Sequence, residues 1–523
     1  MRTPDHTPSL IQHRWLPVIS LLIMLLTGCT TQSFSLGGDQ EFIHVEELII
    51  ILLFVAAMVG IIAKRLRIPY TIGLVLMGLA LAFRGQLDVN ITPNIILAIL
   101  VPPLVFEAAF HLNLTELRRN LIHILVLAIP GVLFTTFLVG WVVYRGTGLA
   151  LPLSLVFGAL ISATDPVSVV ALFRSLGVPK RLQVLLEGES LFNDGTAIVL
   201  FSIILTSVVT GTQSYNIYGG FLDFLGISGG GIIIGLILGT VISQMISRVN
   251  DHLIETALTS VLAYGAYLIA EAAGVSGVLA VVAAGLVNGN IGPRGMSPTT
   301  RIVVFNFWEY AAFIANSFVF LLIGLRIDLH LLAANWQMIL WAIAGVLAAR
   351  ALTIYGLTWF GRDVPFRWRH VLFWGSLRGA ISLTLALSLP ESLGIASQQI
   401  QAMAFGVVIF TLIIQGFTMG PLAKFLKLIK LNERKSEYER RHARAVASQV
   451  AYHHLDKMRS QGLISEHTWG ILARPLREHN HALVDRVREI MTSDPELQNE
   501  ALENARIEYL RAQRNAFTDL LND

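Results

Sequence analysis

The chain has 523 residues, of which 54% are hydrophobic and only 14% are charged. A soluble protein has roughly a quarter charged residues, so this composition excludes an ordinary soluble enzyme and indicates many membrane-spanning segments. The net charge of +3 requires no nucleic-acid partner, because basic residues in cytoplasmic loops account for it. The single cysteine, Cys29, excludes an intrachain disulfide.

The first segment, residues 1–40, has the pattern of a leader. Arg2 and Arg14 precede an apolar stretch at 16–26, which ends in Leu-Thr-Gly-Cys29. This order is typical of a secretory signal peptide, and its last four residues are similar to a bacterial lipoprotein cleavage site. Cleavage, retention and lipidation of Cys29 are alternatives that the sequence leaves open.

Thirteen apolar stretches follow and define a predicted membrane domain at 41–430. Each is close to the length of about 20 residues that a membrane-spanning helix needs. Their apolar residues do not alternate with a period of two, which excludes the strands of a membrane barrel. The predicted spans are centred near residues 53, 76, 100, 132, 160, 198, 233, 262, 282, 314, 348, 380 and 411.

Basic residues are distributed unevenly between the loops. The loops after odd-numbered spans contain 14 Lys and Arg residues, and those after even-numbered spans contain three. Because positive loops stay in the cytoplasm, this predicts an N-terminus outside and a C-terminal tail inside.

The tail, residues 431–523, carries 14 basic and 15 acidic residues and is predicted to be helical. One interpretation is a solvated helical appendage that packs on itself or on a dimer partner. The other is a regulatory tail that senses pH through histidine side chains. The candidate histidines are His442, His453, His454, His479 and His481.

Eight ionisable residues remain at membrane depth, where each costs at least ~2.5–3.5 kcal/mol unless it is paired or hydrated. Two of them, Glu187 and Arg350, are predicted to lie near helix ends and to extend toward water. The full set is Glu107, Asp165, Glu187, Glu189, Asp194, Glu309, Arg350 and Arg378.

A helix break is predicted at Asp165. Pro166 disfavours helical geometry at the preceding residue and removes a backbone donor. The break would expose backbone carbonyls and the Thr164 hydroxyl at the middle of the membrane. Discontinuous helices of this kind build ion sites in secondary transporters.

Oxygen-bearing side chains surround this predicted break. Ser190, Asn193 and Asp194 share much of one helix face, and Glu107 follows a Pro-Pro pair in the third span. With Thr164 they offer carboxylate, hydroxyl and carbonyl oxygens, the ligands of a hard monovalent cation. Histidine and cysteine are absent from these stretches, which argues against a zinc or copper site.

Arg378 lies in a midspan stretch, GSLRGAISL, where an unpaired cation would be very costly. We predict that Glu189 is its partner and that the pair is structural. Asp194 is then left to titrate.

Two other classes of membrane protein are considered. Asp165 and Asp194 could form the shared-proton dyad of an intramembrane aspartyl protease. The Tyr-Asp and Gly-x-Gly-Asp contexts of such enzymes do not occur, and a dyad leaves Glu107, Ser190 and Arg378 unexplained. A channel is the second class, but no pore-loop or filter sequence repeats.

Three stretches closely resemble the monovalent cation:proton antiporter family, which includes the sodium/proton exchangers. They are ATDPV at 163–167, EGESLFNDGTAIV at 187–199 and GSLRGA at 375–380. The prokaryotic branch is the nearer match, and the resemblance covers about 45–425. It implies a transporter without a cofactor, in a bacterial inner membrane. The expected architecture is thirteen helices with inverted repeats, usually a homodimer, whose core moves as an elevator.

The resemblance also implies roles for individual residues. Asp194 would bind a cation or a proton in turn, with the Thr164 carbonyl and the Ser190 hydroxyl as further Na+ ligands. Asp165 would lie at the unwound fifth span, and Glu107 would contribute a carboxylate from the third. The family pattern supports the buried Glu189–Arg378 pair.

Asn193 bears on stoichiometry. An asparagine adds no second titrating charge beside Asp194, so the sequence predicts electroneutral exchange of one cation for one proton. The transported cation is predicted to be Na+, with Li+ or K+ left open. A K+/H+ antiporter regulated by its tail is the alternative.

Overall fold

The computed structural model describes residues 40–66, 69–82, 96–211, 217–249, 251–357, 364–428 and 433–493, with isolated positions after 497. Nearly all of these residues are helical, and no strand occurs among them. This confirms the predicted all-α class. The leader and Cys29 lie outside the described residues.

The helices of the first half of the described chain are α1 Gln40–Leu66, α2 Tyr70–Ala82, α3 Val101–His111, α4 Leu114–Ala128, α5 Pro130–Thr147, α6 Leu151–Ser162, α7 Val167–Leu176 and α8 Lys180–Thr210. Those of the second half are α9 Ile217–Ile246, α10 His252–Ala272, α11 Gly277–Ile291, α12 Pro298–Arg326, α13 Leu329–Ala334, α14 Trp336–Leu352, α15 Phe366–Trp374, α16 Ala380–Leu387, α17 Ile395–Phe410 and α18 Gly416–Phe425. The π-helical turns are Ile96–Leu100, Thr353–Leu357 and Thr411–Gln415.

Eight helical segments of the described chain are long and apolar enough to cross a membrane, and three shorter helices are also apolar. All thirteen predicted centres fall within a helix or a π-helical turn. The polytopic helical architecture is therefore confirmed, whereas the count of thirteen spans stays a prediction. The long segments are Leu114–Thr147, Leu151–Arg174, Lys180–Thr210, Tyr218–Ile246, His252–Ala272, Thr300–Arg326, Trp336–Leu357 and Ile395–Phe425.

Helices α2 and α12 cross in direct backbone contact. A Cβ atom at Gly78 would lie 2.4 Å from the carbonyl oxygen of Leu321, and one at Gly324 would lie 2.4 Å from that of Val75. Small residues allow such close approach in membranes, where packing rather than the hydrophobic effect drives helix association. The contact fixes α12, which lines the functional cavity.

The tail forms a hairpin of two helices, α19 Glu433–Ser460 and α20 Glu466–Ser493, which pack against each other. Trp469 is buried in the hairpin, with its ring centroid 5.6 Å from that of Tyr452 and the Arg459 guanidinium 5.0 Å above it. The side chains of all five candidate histidines are exposed.

Candidate functional site

The predicted break at Asp165 is present. Helix α6 ends at Ser162 and α7 begins at Val167, so the four residues between them are not helical. The Asp165 backbone N–H donates to the Leu377 carbonyl at 2.7 Å instead of to its own helix. Its side-chain Oδ1 accepts from the Val167 N–H at 3.0 Å, which caps the first turn of α7.

A second break lies opposite the first, between α15 and α16. Residues 375–379 connect these helices, and the Ser382 hydroxyl donates to the Ala163 carbonyl at 3.3 Å. Sequence reasoning missed this break, because it took GSLRGAISL as one continuous span. Gly375 and Gly379 at the two ends of the break were the available signal, since glycine weakens a helix interior.

Gly379 allows the two breaks to meet. A Cβ atom there would lie 2.3 Å from the Cβ and 2.5 Å from Oδ2 of Asp165. We expect Gly379→Ala to push the breaks apart and to reduce transport at least tenfold in a vesicle assay. Gly265→Ala is the matched control, since nothing lies within 4 Å of its Cβ position. Normal transport by Gly379→Ala would contradict this prediction, because it would show that the two helix breaks can move apart without loss of transport.

Helix α8 brings its polar side chains to the first break. The Ser190 hydroxyl donates to the Thr164 carbonyl, and Asn193 Nδ2 donates to Thr164 Oγ1 at 3.3 Å. The Asp194 carboxylate lies beside the Thr164 backbone N–H. Three polar residues of α8, Ser190, Asn193 and Asp194, therefore adjoin one residue of the unwound segment.

A cavity of about 200 Å³ opens at this crossing. Five of the six predicted cation-site residues line it: Glu107, Thr164, Asp165, Ser190 and Asp194. Asn193 is not among the lining residues; it is buried behind them, against the Thr164 hydroxyl. The structure thus brings together side chains from α3, α8 and the break.

One ion pair and one histidine–carboxylate contact also line the cavity. His111 Nδ1 lies 3.2 Å from Glu107 Oε1 within α3, and Arg174 Nη2 lies 2.7 Å from Glu187 Oε1 between α7 and α8. The prediction that Glu187 simply extends toward water is therefore incomplete, because its carboxylate joins α8 to α7. Sequence reasoning assigned no role to His111 or Arg174.

The predicted Glu189–Arg378 pair is wrong. Both oxygens of Glu189 accept from the guanidinium of Arg350 on α14, with Nη2 at 2.9 Å from Oε2 and Nη1 bonded to Oε1. The Arg350 side chain is 6% exposed and that of Glu189 is 2% exposed. The prediction that Arg350 extends toward water is wrong as well.

Arg378 binds backbone oxygens instead. Its Nη1 donates to the carbonyls of Ser162 at 2.8 Å and Ala163 at 3.0 Å, where α6 ends. Helix ends leave their last carbonyls without intrahelical donors and carry partial negative charge, which attracts a cation. Arg350 acts similarly on α15, donating to the Leu372 carbonyl at 3.0 Å. The break at Asp165 thus provides carbonyl acceptors, which the sequence analysis expected as cation ligands but not as partners of Arg378.

The donor set suits a transported monovalent ion. Among the residues that the structure describes, no group of three or more His, Cys, Asp or Glu side chains is placed to hold a resident metal. The oxygen atoms at the crossing come from carboxylates, a hydroxyl and a backbone carbonyl. Hard cations prefer such ligands.

The family model described as "Sodium/hydrogen exchanger, transmembrane" matches residues 50–425. The chain belongs to this family. The Na+/H+ antiporter ApNhaP of Aphanothece halophytica is 43% identical over 431 residues, which are 81% of this chain and 82% of that protein. The Na+/H+ antiporter NhaG of Bacillus atrophaeus is 36% identical over 492 residues, covering 91% of this chain and 93% of that protein.

The fold also matches a solved structure. The sodium proton antiporter MjNhaP1 from Methanocaldococcus jannaschii at pH 8 aligns with a TM-score of 0.64 and 23% identity, covering 75% of this chain and 100% of that one. The resemblance found in the sequence is confirmed. As a sodium/hydrogen exchanger, the chain is a multi-pass membrane transporter and not an enzyme, which decides against the protease interpretation.

Proposed function

We propose that this exchanger moves Na+ in one direction and H+ in the other by binding them alternately at Asp194. The observation that carries the proposal is the cavity at the crossing of the two helix breaks. Asp194 lines it together with the Ser190 hydroxyl and residues of the unwound segment. Na+ at this site would be held by the Asp194 carboxylate, the Thr164 carbonyl and Ser190.

The partners of the other charged side chains at the crossing support this assignment. Glu189 is engaged by Arg350, and the Asp165 carboxylate caps α7. Arg378 is directed to the carbonyls at the end of α6. Asp194 lies beside the Thr164 backbone N–H, is in no ion pair of the described residues, and faces the cavity. It is therefore the carboxylate best placed to accept a mobile ion.

The coupling follows from competition at one carboxylate. A bound cation lowers the proton affinity of Asp194, and a bound proton removes the charge that attracts the cation. If only a loaded core crosses the membrane, the two flows are opposed, which is alternating access with a shared site. Glu107 on α3 and Asp165 on the break would contribute further negative charge, and Asn193 would orient Thr164.

Electroneutral exchange is expected because Asn193 adds no second titrating group. The rate of Na+/H+ exchange in proteoliposomes should be the same at imposed potentials of either sign, under matched ion gradients. Asn193→Asp is the informative variant, since it could add a proton per cycle. A parent rate that changes with potential would contradict one-for-one exchange.

Orientation, assembly and the tail complete the proposal. The loop charges support an external N-terminus and a cytoplasmic tail, in the inner membrane of a bacterium. We further propose a membrane domain at 41–430, a tail at 431–523 and a homodimer.

The five candidate histidines of the tail are exposed, and a pH-sensing role for them stays a hypothesis. If deletion of the tail from Leu431 left the pH profile of transport unchanged, this hypothesis would be contradicted.

Inside-out vesicles with an acid interior and a pH-sensitive dye test the proposal. We expect added Na+ to dissipate the proton gradient, and Li+ to do so if the site tolerates the smaller ion. The names of the relatives favour Na+ over K+. Absence of proton movement with any of the three ions between about pH 6 and 9, the span across which buried carboxylates and histidines titrate, would contradict the proposed exchange.

A further inference from the structure

A second and larger cavity, of about 680 Å³, adjoins the one at the helix crossing. The two cavities are adjacent, because five residues line both. These shared lining residues are Glu107, Val167, Ala171, Ala312 and Asn316. The second cavity therefore gives a route toward the cation site along α7 and α12 that is distinct from the first.

Helix α12 presents one face to the second cavity. Glu309, Ala312, Phe313 and Asn316 all line it, and their spacing of three, four and seven residues places them on one side of the helix. Glu309 and Asn316 are two turns apart, or about 10 Å along the axis. Asn316 also lines the cavity of Asp194, so this face leads from Glu309 to the cation site.

Glu309 is exposed although it belongs to an apolar membrane-spanning segment, Thr300–Arg326. A carboxylate in such a segment is costly unless it faces a water-filled space, and such residues mark ion pathways. Its place in the wall of the second cavity provides that space. The mechanism described above makes no use of it.

The two routes differ in charge. In the first cavity, Glu187 is paired with Arg174, and His111 Nδ1 lies 3.2 Å from the carboxylate of Glu107. Across the described part of the chain, no ion pair involves Glu309. An uncompensated carboxylate in a cleft concentrates cations there. The carboxylate of Glu309 therefore gives the entrance of the second route a local negative charge.

We propose that Glu309 forms an outer binding site for a hydrated monovalent cation, from which Na+ passes along α12 by Asn316 to Asp194. The site attracts the ion electrostatically and does not take part in proton exchange. Its loss therefore weakens apparent Na+ affinity and leaves the maximal rate unchanged. The inference rests on the proposed function, in which Asp194 is the carrier.

The test uses Glu309→Cys, modified after folding. Cys29 is the only native cysteine in the sequence, so Cys29→Ser provides a clean background. In inside-out vesicles, a positively charged methanethiosulfonate reagent should raise the KM for Na+ about three- to tenfold, whereas a negatively charged one should restore the parent value. The difference should shrink as choline chloride rises from about 10 mM to 100 mM, because the Debye length falls from about 30 Å to about 10 Å.

Glu116→Cys in the same background is the matched control, since Glu116 lies on α4 and lines neither cavity. Equal KM values with both labels at residue 309, or equal shifts at both positions, would overturn the inference. If Glu309→Cys does not fold, Glu309→Gln against Glu309→Asp makes the same comparison of charge. If a Glu309 variant exchanges ions at the full rate with an unchanged KM for Na+, only the outer site is refuted. If the parent protein shows no Na+/H+ exchange, the proposed function is refuted.

Discussion

Asp194→Asn is expected to abolish Na+-driven proton movement, with a loss of at least a hundredfold in inside-out vesicles. An asparagine neither binds a proton in this pH range nor supplies the negative charge that a desolvated Na+ needs. Asparagine has nearly the same size and shape as aspartate, so the local fold should persist. Dequenching of a pH-sensitive dye after Na+ addition measures the effect.

Asp456→Asn serves as the control for this substitution. Asp456 lies on tail helix α19, where it forms a partly exposed ion pair with Arg459. The same chemical change there should leave transport intact. Thermal unfolding in detergent should be similar for both variants. Substantial exchange by well-folded Asp194→Asn would move the carrier role to another carboxylate, with Asp165 the first to examine.

Arg350→Ala is expected to destabilise the protein by about 3–5 kcal/mol, because it leaves Glu189 as an unpaired buried charge. It also removes the donor to the Leu372 carbonyl on α15. The variant should show a lower Tm in detergent and less monodisperse protein. Adding Glu189→Gln should recover part of the loss, since the stranded charge is then gone.

Arg378→Ala provides the comparison. It deprives the Ser162 and Ala163 carbonyls of a donor but leaves the Glu189–Arg350 pair in place. We therefore expect a smaller loss of stability, of about 1–3 kcal/mol, and no rescue by Glu189→Gln. If Glu189→Gln instead rescued Arg378→Ala and did not rescue Arg350→Ala, the result would support the Glu189–Arg378 pair predicted from the sequence.

Features that depend on neighbouring residues could be predicted well. Pro166 acts on the backbone of Asp165, so the first helix break was foreseeable from two adjacent residues. The second break had only glycines to indicate it, and glycine inside a membrane helix is as often a packing residue. Gly78 at the crossing of α2 and α12 is an example.

Charge pairing could not be predicted, because it depends on where separate helices cross. Glu189 and Arg350 are 161 residues apart, and Arg378 is 216 residues from the carbonyl of Ser162 that it binds. Pairing by charge alone matched Arg378 with Glu189. The carbonyl oxygens of the broken helix were expected as cation ligands and not as acceptors for an arginine.

The sequence by itself determined that the chain spans a membrane and that a helix breaks at Asp165, and it predicted Thr164, Ser190 and Asp194 as residues of a cation site. These conclusions rest on the free-energy cost of placing charges and unpaired backbone groups in hydrocarbon. This cost depends on each residue and its immediate neighbours in the sequence. Only the tertiary structure decided that two breaks cross, that Arg350 holds Glu189 while Arg378 caps α6, and that a second cavity lined by Glu309 lies beside the first. The physical reason is that hydrogen bonds and ion pairs act over about 3 Å, so helix packing selects the partners.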